Sequence, residues 1–197
     1  MPSLTNTFTA LACLLAVAGA VPTALPRAAK CPSTGKASVE PSALYNIFPK
    51  APDASKKSIG FNVETYNNAS QVEQVLAFTD IPAGAKSCSV GWKQGKLPER
   101  LFIAKGGDAL TEIKQLSGVP DKSVTYASVK KFDTAKDTIG AADFTNWDTL
   151  PAQGHIIGSI DCKSTIYLKA ALRNPDGNTK VFLEQNDQNG LYIEYSC

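Results

Sequence analysis

Apolar residues in this chain come in short runs, mostly alternating with polar ones, and proline, glycine or asparagine soon interrupts each run. Runs this short give a helix too little length for a buried stripe, but they suit strands with one face on a core. Ser58–Tyr66 places Ile59, Phe61 and Val63 on one face, with Asn62 and Glu64 on the other. Val75–Ile81 follows and is closed by Pro82-Ala83-Gly84. Cys88, Val90 and Trp92 share a face of a third strand, and Leu101-Phe102-Ile103 marks a fourth. Val124–Val129 reads as a weaker strand. Further on, His155–Cys162 and Thr165–Leu172 are expected strands, with Ile166, Leu168, Ala170 and Leu172 in phase. The turn Asn174-Pro175-Asp176-Gly177-Asn178 separates them from Lys180–Glu184 and Leu191–Cys197, which read as a closing hairpin across Gln185–Gly190. Asp108–Leu116 stands apart: Leu110, Ile113 and Leu116 recur every third residue, a spacing that predicts a short helix on a connection. Many short strands punctuated by turn residues predict an all-β domain, an antiparallel sandwich or a jelly-roll-like fold.

The first twenty residues have a different character. Met1–Ala20 carries no charged side chain, and Phe8–Val17 is an apolar run of signal-peptide length, too short to span a bilayer. Ala18-Gly19-Ala20 supplies small residues suited to cleavage. The expected organisation is an export signal at 1–20, an Ala/Pro-rich leader at 21–37 and the β domain at 38–197. No later run is long enough for a membrane span.

Cys13 falls within the signal, which leaves Cys31, Cys88, Cys162 and Cys197. Four cysteines in an exported chain predict two disulfides, with three connectivities open. Cys162 is in phase with Ile156 and Ile160, and Cys197 with Leu191, Ile193 and Tyr195, so both are expected at the core or its rim. The expected pairs are Cys31–Cys197, tying the termini, and Cys88–Cys162, joining two strands. A zinc site is disfavoured because no CxxC occurs and His155 is the sole histidine. No metal and no cofactor are expected.

The motif from Phe61-Asn62-Val63 through Phe78-Thr79-Asp80-Ile81-Pro82 to Cys88-Ser89-Val90 resembles a family of fungal secreted proteins. The closing Gly190-Leu191-Tyr192-Ile193-Glu194-Tyr195-Ser196-Cys197 resembles it too. This is the ubiquitin 3 binding protein C-terminal domain family, also called the But-two C-terminal domain. The resemblance covers roughly Ser38–Cys197 and implies a secreted β domain of unassigned role. The family's name implies contact with ubiquitin-like conjugation machinery, which is cytosolic, whereas residues 1–20 direct this chain outward. No catalytic residues of the family map onto it.

The chemistry in the sequence is sparse. A net charge of +2, with only Lys56-Lys57 and Lys130-Lys131 as basic pairs, gives no nucleic-acid stripe. His155 lacks the G-x-S-x-G context of a nucleophile and reads as an edge residue. Paired carboxylates of a polysaccharide hydrolase have two candidates, Asp143 with Asp148 and Asp133 with Asp137, both more simply read as solvated loop residues. Asn68-Ala69-Ser70 is a glycosylation sequon in a polar turn. Among aromatic residues, Trp92, Trp147, Tyr126 and Tyr192 are candidates for a sugar platform. Trp92 is in phase with the core, and Trp147, in a polar loop, is the expected binding residue. The function expected is therefore a secreted, non-enzymatic protein that binds a protein or glycan partner outside the cell or in its wall. The alternative is a polysaccharide-active hydrolase on a β-sandwich.

Overall fold

A computed structural model describes residues 31–33 and 35–197. The expected signal and most of the leader lie outside the described residues. In chain order the strands are β1 (Lys36–Val39), β2 (Ala43–Ile47), β3 (Ser55–Lys57), β4 (Gly60–Thr65), β5 (Ser70–Phe78), β6 (Lys86–Gln94) and β7 (Phe102–Lys105). Then come β8 (Leu110–Leu116), a one-turn helix α1 (Tyr126–Val129), β9 (Gly140–Asp143), β10 (Gln153–Ser159), β11 (Ile166–Leu172), β12 (Lys180–Glu184) and β13 (Gly190–Ser196). β1 opens within the expected leader, two residues before Ser38.

The fold is an antiparallel β-sandwich. One sheet has the order β1-β13-β6-β10; the larger one runs β7-β12-β4-β5-β11-β8-β9, with β2 and β3 added beside β5. Phe61, Val63, Leu76, Phe78, Ile113, Ile166, Leu168, Val181 and Leu183 from the large sheet face Val90, Trp92, Leu191 and Ile193 from the small one. This alternation is what drives two sheets together, since each buried face removes apolar surface from water. Ile59 falls outside the phase: β4 begins at Gly60, and Ile59 is 81% exposed.

The large sheet is covered on its outer face as well. Residues 117–139, including α1, pack over it, and Val124 and Val129 join Ile47, Val75 and Leu116 in a second apolar cluster. Thr125 caps α1 by accepting from the Ser128 N–H, and Ser128 Oγ in turn accepts from the Thr125 N–H. The weaker strand expected at Val124–Val129 is therefore this capped turn. The helix expected at Asp108–Leu116 is strand β8. Its Ile113 enters the main core while Leu116 enters the second cluster, so a period of three arises from two opposite buried faces.

The covering segment is also held by charge. Lys169 Nζ lies 3.0 Å from Glu73 on the sheet and 3.0 Å from Asp133 on the segment. Burial disfavours the Lys169 charge, but attraction to Glu73 and hydrogen bonding to both carboxylates outweigh it and hold its pKa above the ordinary value.

The expected closing hairpin is absent. β12 pairs with β4 and β7 in the large sheet, whereas β13 pairs with β1 and β6 in the small one. Residues 185–189 arch between the sheets, with Asn186 and Asn189 exchanging backbone hydrogen bonds and Asn189 Oδ1 accepting from the Gly95 N–H. Turn chemistry serves an arch as well as a hairpin.

Cys31 is bonded to Cys197 and Cys88 to Cys162, the expected pairs. The first is exposed and fastens the start of the described chain to its last residue. The second is set into the core at Cys88. The phase that suggested it is interrupted, however. A bulge at Ile156–Gly158 puts Ile156 outward, 53% exposed, while Ile157, Ile160 and Cys162 pack on the core.

Candidate functional site

The two sheets meet edge to edge where β9 of the large sheet lies against β10 of the small one. At one end of this seam the backbones touch. A Cβ on Gly140 would collide with the Ile157 carbonyl oxygen, and one on Gly158 with that of Ile139, so glycine at both positions allows the approach. At the other end the strands part and leave a cleft of about 380 Å³. Trp92, Trp147 and His155 line it from one side, and Ala141, Ala142 and Asp143 from the other.

Strand register builds the aromatic wall. His155 on β10 pairs directly with Trp92 on β6, so both side chains point inward. Their rings are stacked, with centroids 5.2 Å apart and planes inclined by 26°. Trp147 arrives from a different direction. Phe144 is fully buried and anchors the chain after β9; Asn146 then adopts a left-handed φ of 63°, and a single 3-10 turn, Trp147–Thr149, brings the indole back over the strands. The indole stands edge-on to Trp92 at 5.2 Å and to His155 at 4.4 Å. Trp92 is 2% exposed and forms the floor, whereas Trp147 is half-buried at the wall. His155 Nε2 is shielded from solvent and has no hydrogen-bond partner among the described residues.

Arg100 fixes the loop behind Trp147. Its buried guanidinium donates to the carbonyls of Gly95, Asp148 and Leu150 at 2.6–2.9 Å. Burial lowers its pKa, partly offset by the Asp148 carboxylate. That carboxylate also accepts from the Ala104 N–H at 3.2 Å, which ties the turn to β7.

The sequence candidates thus separate. Trp92 and Trp147 come together, while Tyr126 packs on the outer face of the large sheet and Tyr192 is on β13, outside the cleft. Asp143 lines the cleft, its Oδ1 accepting from the Thr145 N–H, but Asp148 is absent from the lining. Asp133 is committed to Lys169, and Asp137 is exposed. The cleft therefore presents one carboxylate, where a paired acid–base mechanism needs two. Asn68 is exposed at the tip of the β4–β5 turn, where Asn67 and Asn68 have φ of 50° and 54°. Among the described residues no cluster of three or more metal-ligating side chains occurs, and no helix is long and apolar enough to cross a membrane. The site that sequence reasoning missed is the pairing of His155 with the tryptophans; the common inward phase of Cys88, Val90 and Trp92 was its one available signal. No family model matches the chain, and no curated protein matches it.

Proposed function

We propose that this is an exported β-sandwich protein that binds a glycan, taking a sugar ring against Trp147 in the seam cleft. The observation that carries the reading is the Trp92–His155–Trp147 aromatic wall, with the half-buried Trp147 indole lining an open cleft opposite Asp143. An indole edge and face beside a polar ring suit a partner with apolar faces and hydroxyl rims, as a pyranose has. Two disulfides fit an oxidising, extracellular setting, and the apolar Phe8–Val17 run supplies the export segment.

Kinship with the ubiquitin 3 binding protein C-terminal domain family belongs to the same proposal. The first motif runs from β4 through the end of β5 and the turn that follows to Cys88-Ser89-Val90 on β6, and the second occupies β13 and Cys197. Both are structural positions, so kinship would transfer the fold without naming the ligand.

The test is a titration of the purified protein with neutral oligosaccharides, followed by tryptophan fluorescence and calorimetry. A saturable change that Trp147→Ala abolishes, with the thermal midpoint kept within a few degrees, supports the reading. Binding unaffected by Trp147→Ala, or no binding to any glycan tested, refutes it.

A further inference from the structure

A second concavity, of about 640 Å³, lies away from the seam, on the outer face of the large sheet. Its floor is a notch in the register. Ala43 on β2 pairs with Ala77 on β5, and Ala77 pairs on its other side with Tyr167 on β11. Two methyl groups thus stand side by side where Tyr45 and Val75 form the next row. Tyr45 and Tyr167 rise at the borders of this shallow floor.

The two walls carry charge. Lys57 on β3 pairs with Tyr45 and stands on one wall. The opposite wall is 119–124, the leading part of the covering segment, and contributes Asp121, Lys122 and Ser123. This wall is held in place rather than loose: Val124 is buried in the second cluster, and the Ser117 N–H donates to the Phe132 carbonyl across the segment. Among the described residues, neither Lys57, Lys122 nor Asp121 enters an ion pair. The groove therefore holds two uncommitted cations against one uncommitted anion, between two phenol rings and a rim of serine hydroxyls.

We infer that this groove is a second binding site, specific for a carboxylate-bearing sugar such as a uronate unit of an acidic polysaccharide. The excess of one positive charge matches a monoanion. Asp121 would repel a phosphate dianion, yet it can accept from sugar hydroxyls. The alanine floor leaves room for a ring to lie flat, and tyrosine borders offer it apolar faces. The volume falls within the range of small-ligand sites and accommodates more than one ring.

The site is independent of the seam cleft, so the two readings fail separately. The experiment is calorimetry and amide-resonance mapping with a trimer of galacturonate and a matched neutral trimer of galactose, on the wild-type protein, Lys57→Gln, Lys122→Gln and Trp147→Ala. Lys57 and Lys122 are exposed and outside any ion pair among the described residues, so their replacement is expected to keep the fold, checked by an unchanged thermal midpoint. The expected result is selective binding of the uronate trimer, weakened about two- to fivefold by each lysine change, the range of one exposed ion pair, and unaffected by Trp147→Ala. Equal affinity for the neutral trimer read at the resonances of groove residues such as Ala43, Ala77 and Val119, insensitivity to both lysine changes, no shift of those resonances, or loss of the groove shifts with Trp147→Ala would each overturn it, whereas neutral-trimer shifts confined to Trp92, Asp143 and Trp147 report the seam cleft alone.

Discussion

Removing each disulfide in turn separates two contributions that are often merged. A cross-link removes entropy from the unfolded chain, and the effect grows with the logarithm of the loop it closes. For separations of 166 and 74 residues, that relation gives about 5 kcal/mol for Cys31–Cys197 and about 4.5 kcal/mol for Cys88–Cys162. Chain entropy alone thus ranks the terminal bond slightly higher. The folded state reverses the order. Cys31 and Cys197 are exposed, and β1 is held to β13 by only four paired residues, so losing the bond lets the end fray and regain entropy. Cys88 is buried in the main core, where alanine leaves a void. The Cys31→Ala/Cys197→Ala protein is expected to lose about 2–3 kcal/mol, and Cys88→Ala/Cys162→Ala about 5 kcal/mol, within the usual range for native disulfides. Urea unfolding at equilibrium, read by tryptophan fluorescence, measures both. A terminal variant that loses as much as the core variant would refute the fraying and packing argument. Losses under about 1 kcal/mol in both would refute the stapling role itself.

Lys169→Met leaves Glu73 and Asp133 facing each other without their cation and should cost about 2–4 kcal/mol, measured by thermal unfolding. The raised Lys169 pKa means that its stabilisation is fully present at neutral pH and is lost as pH climbs through and beyond the ordinary lysine value of about 10.4; a wild-type stability curve that falls on the acid side but stays flat above that value would contradict the triad's role. Gly158→Ala drives a methyl group into the Ile139 carbonyl and should lower stability by about 1–3 kcal/mol while perturbing the seam, visible as a changed near-ultraviolet signal from Trp92 and Trp147. Material secreted by a glycosylating host should lose mass on N-glycosidase treatment, and Asn68→Gln should abolish that loss.

How much of this fold can be read from the sequence depends on how many faces of each strand are covered. β4, β11 and β13 alternate cleanly because each buries mainly one face, and their core residues are evident from phase alone. β8 is illegible for the opposite reason: with the covering segment on its outer side, Leu116 is as buried as Ile113 requires on the inner side, and the two together imitate a helical period. On β10 one extra residue at the bulge inverts the parity of everything after it, so Ile156 reads as core and lies outside. The β12–β13 link fails differently. Local residues specify that the chain turns there, but not which neighbouring strand it turns towards, and that choice depends on partners at least 75 residues earlier, as Lys180 with Lys105 shows.

The cleft shows the same limit at the level of function. Trp92, Asp143, Trp147 and His155 share no local motif, and each alone has an ordinary explanation as core, turn or edge residue. What makes them a set is the geometry of a seam: two sheets whose edges touch at Gly140 and Gly158 must diverge elsewhere because each sheet twists. The divergence exposes the inward faces of β10 and the turn after β9, where a fully closed edge would have hidden them. A polar ring at position 155 is then no misplaced surface residue, because it occupies an inward position of β10 that, with Ile157, lines the gap. Closing that gap should therefore affect binding more than stability. Ala141→Leu, which adds bulk to the wall opposite Trp147, is expected to abolish glycan binding at the cleft by calorimetry while shifting the unfolding midpoint by no more than a few degrees. Undiminished binding in that variant would show that the ligand site lies elsewhere and that the seam is only packing.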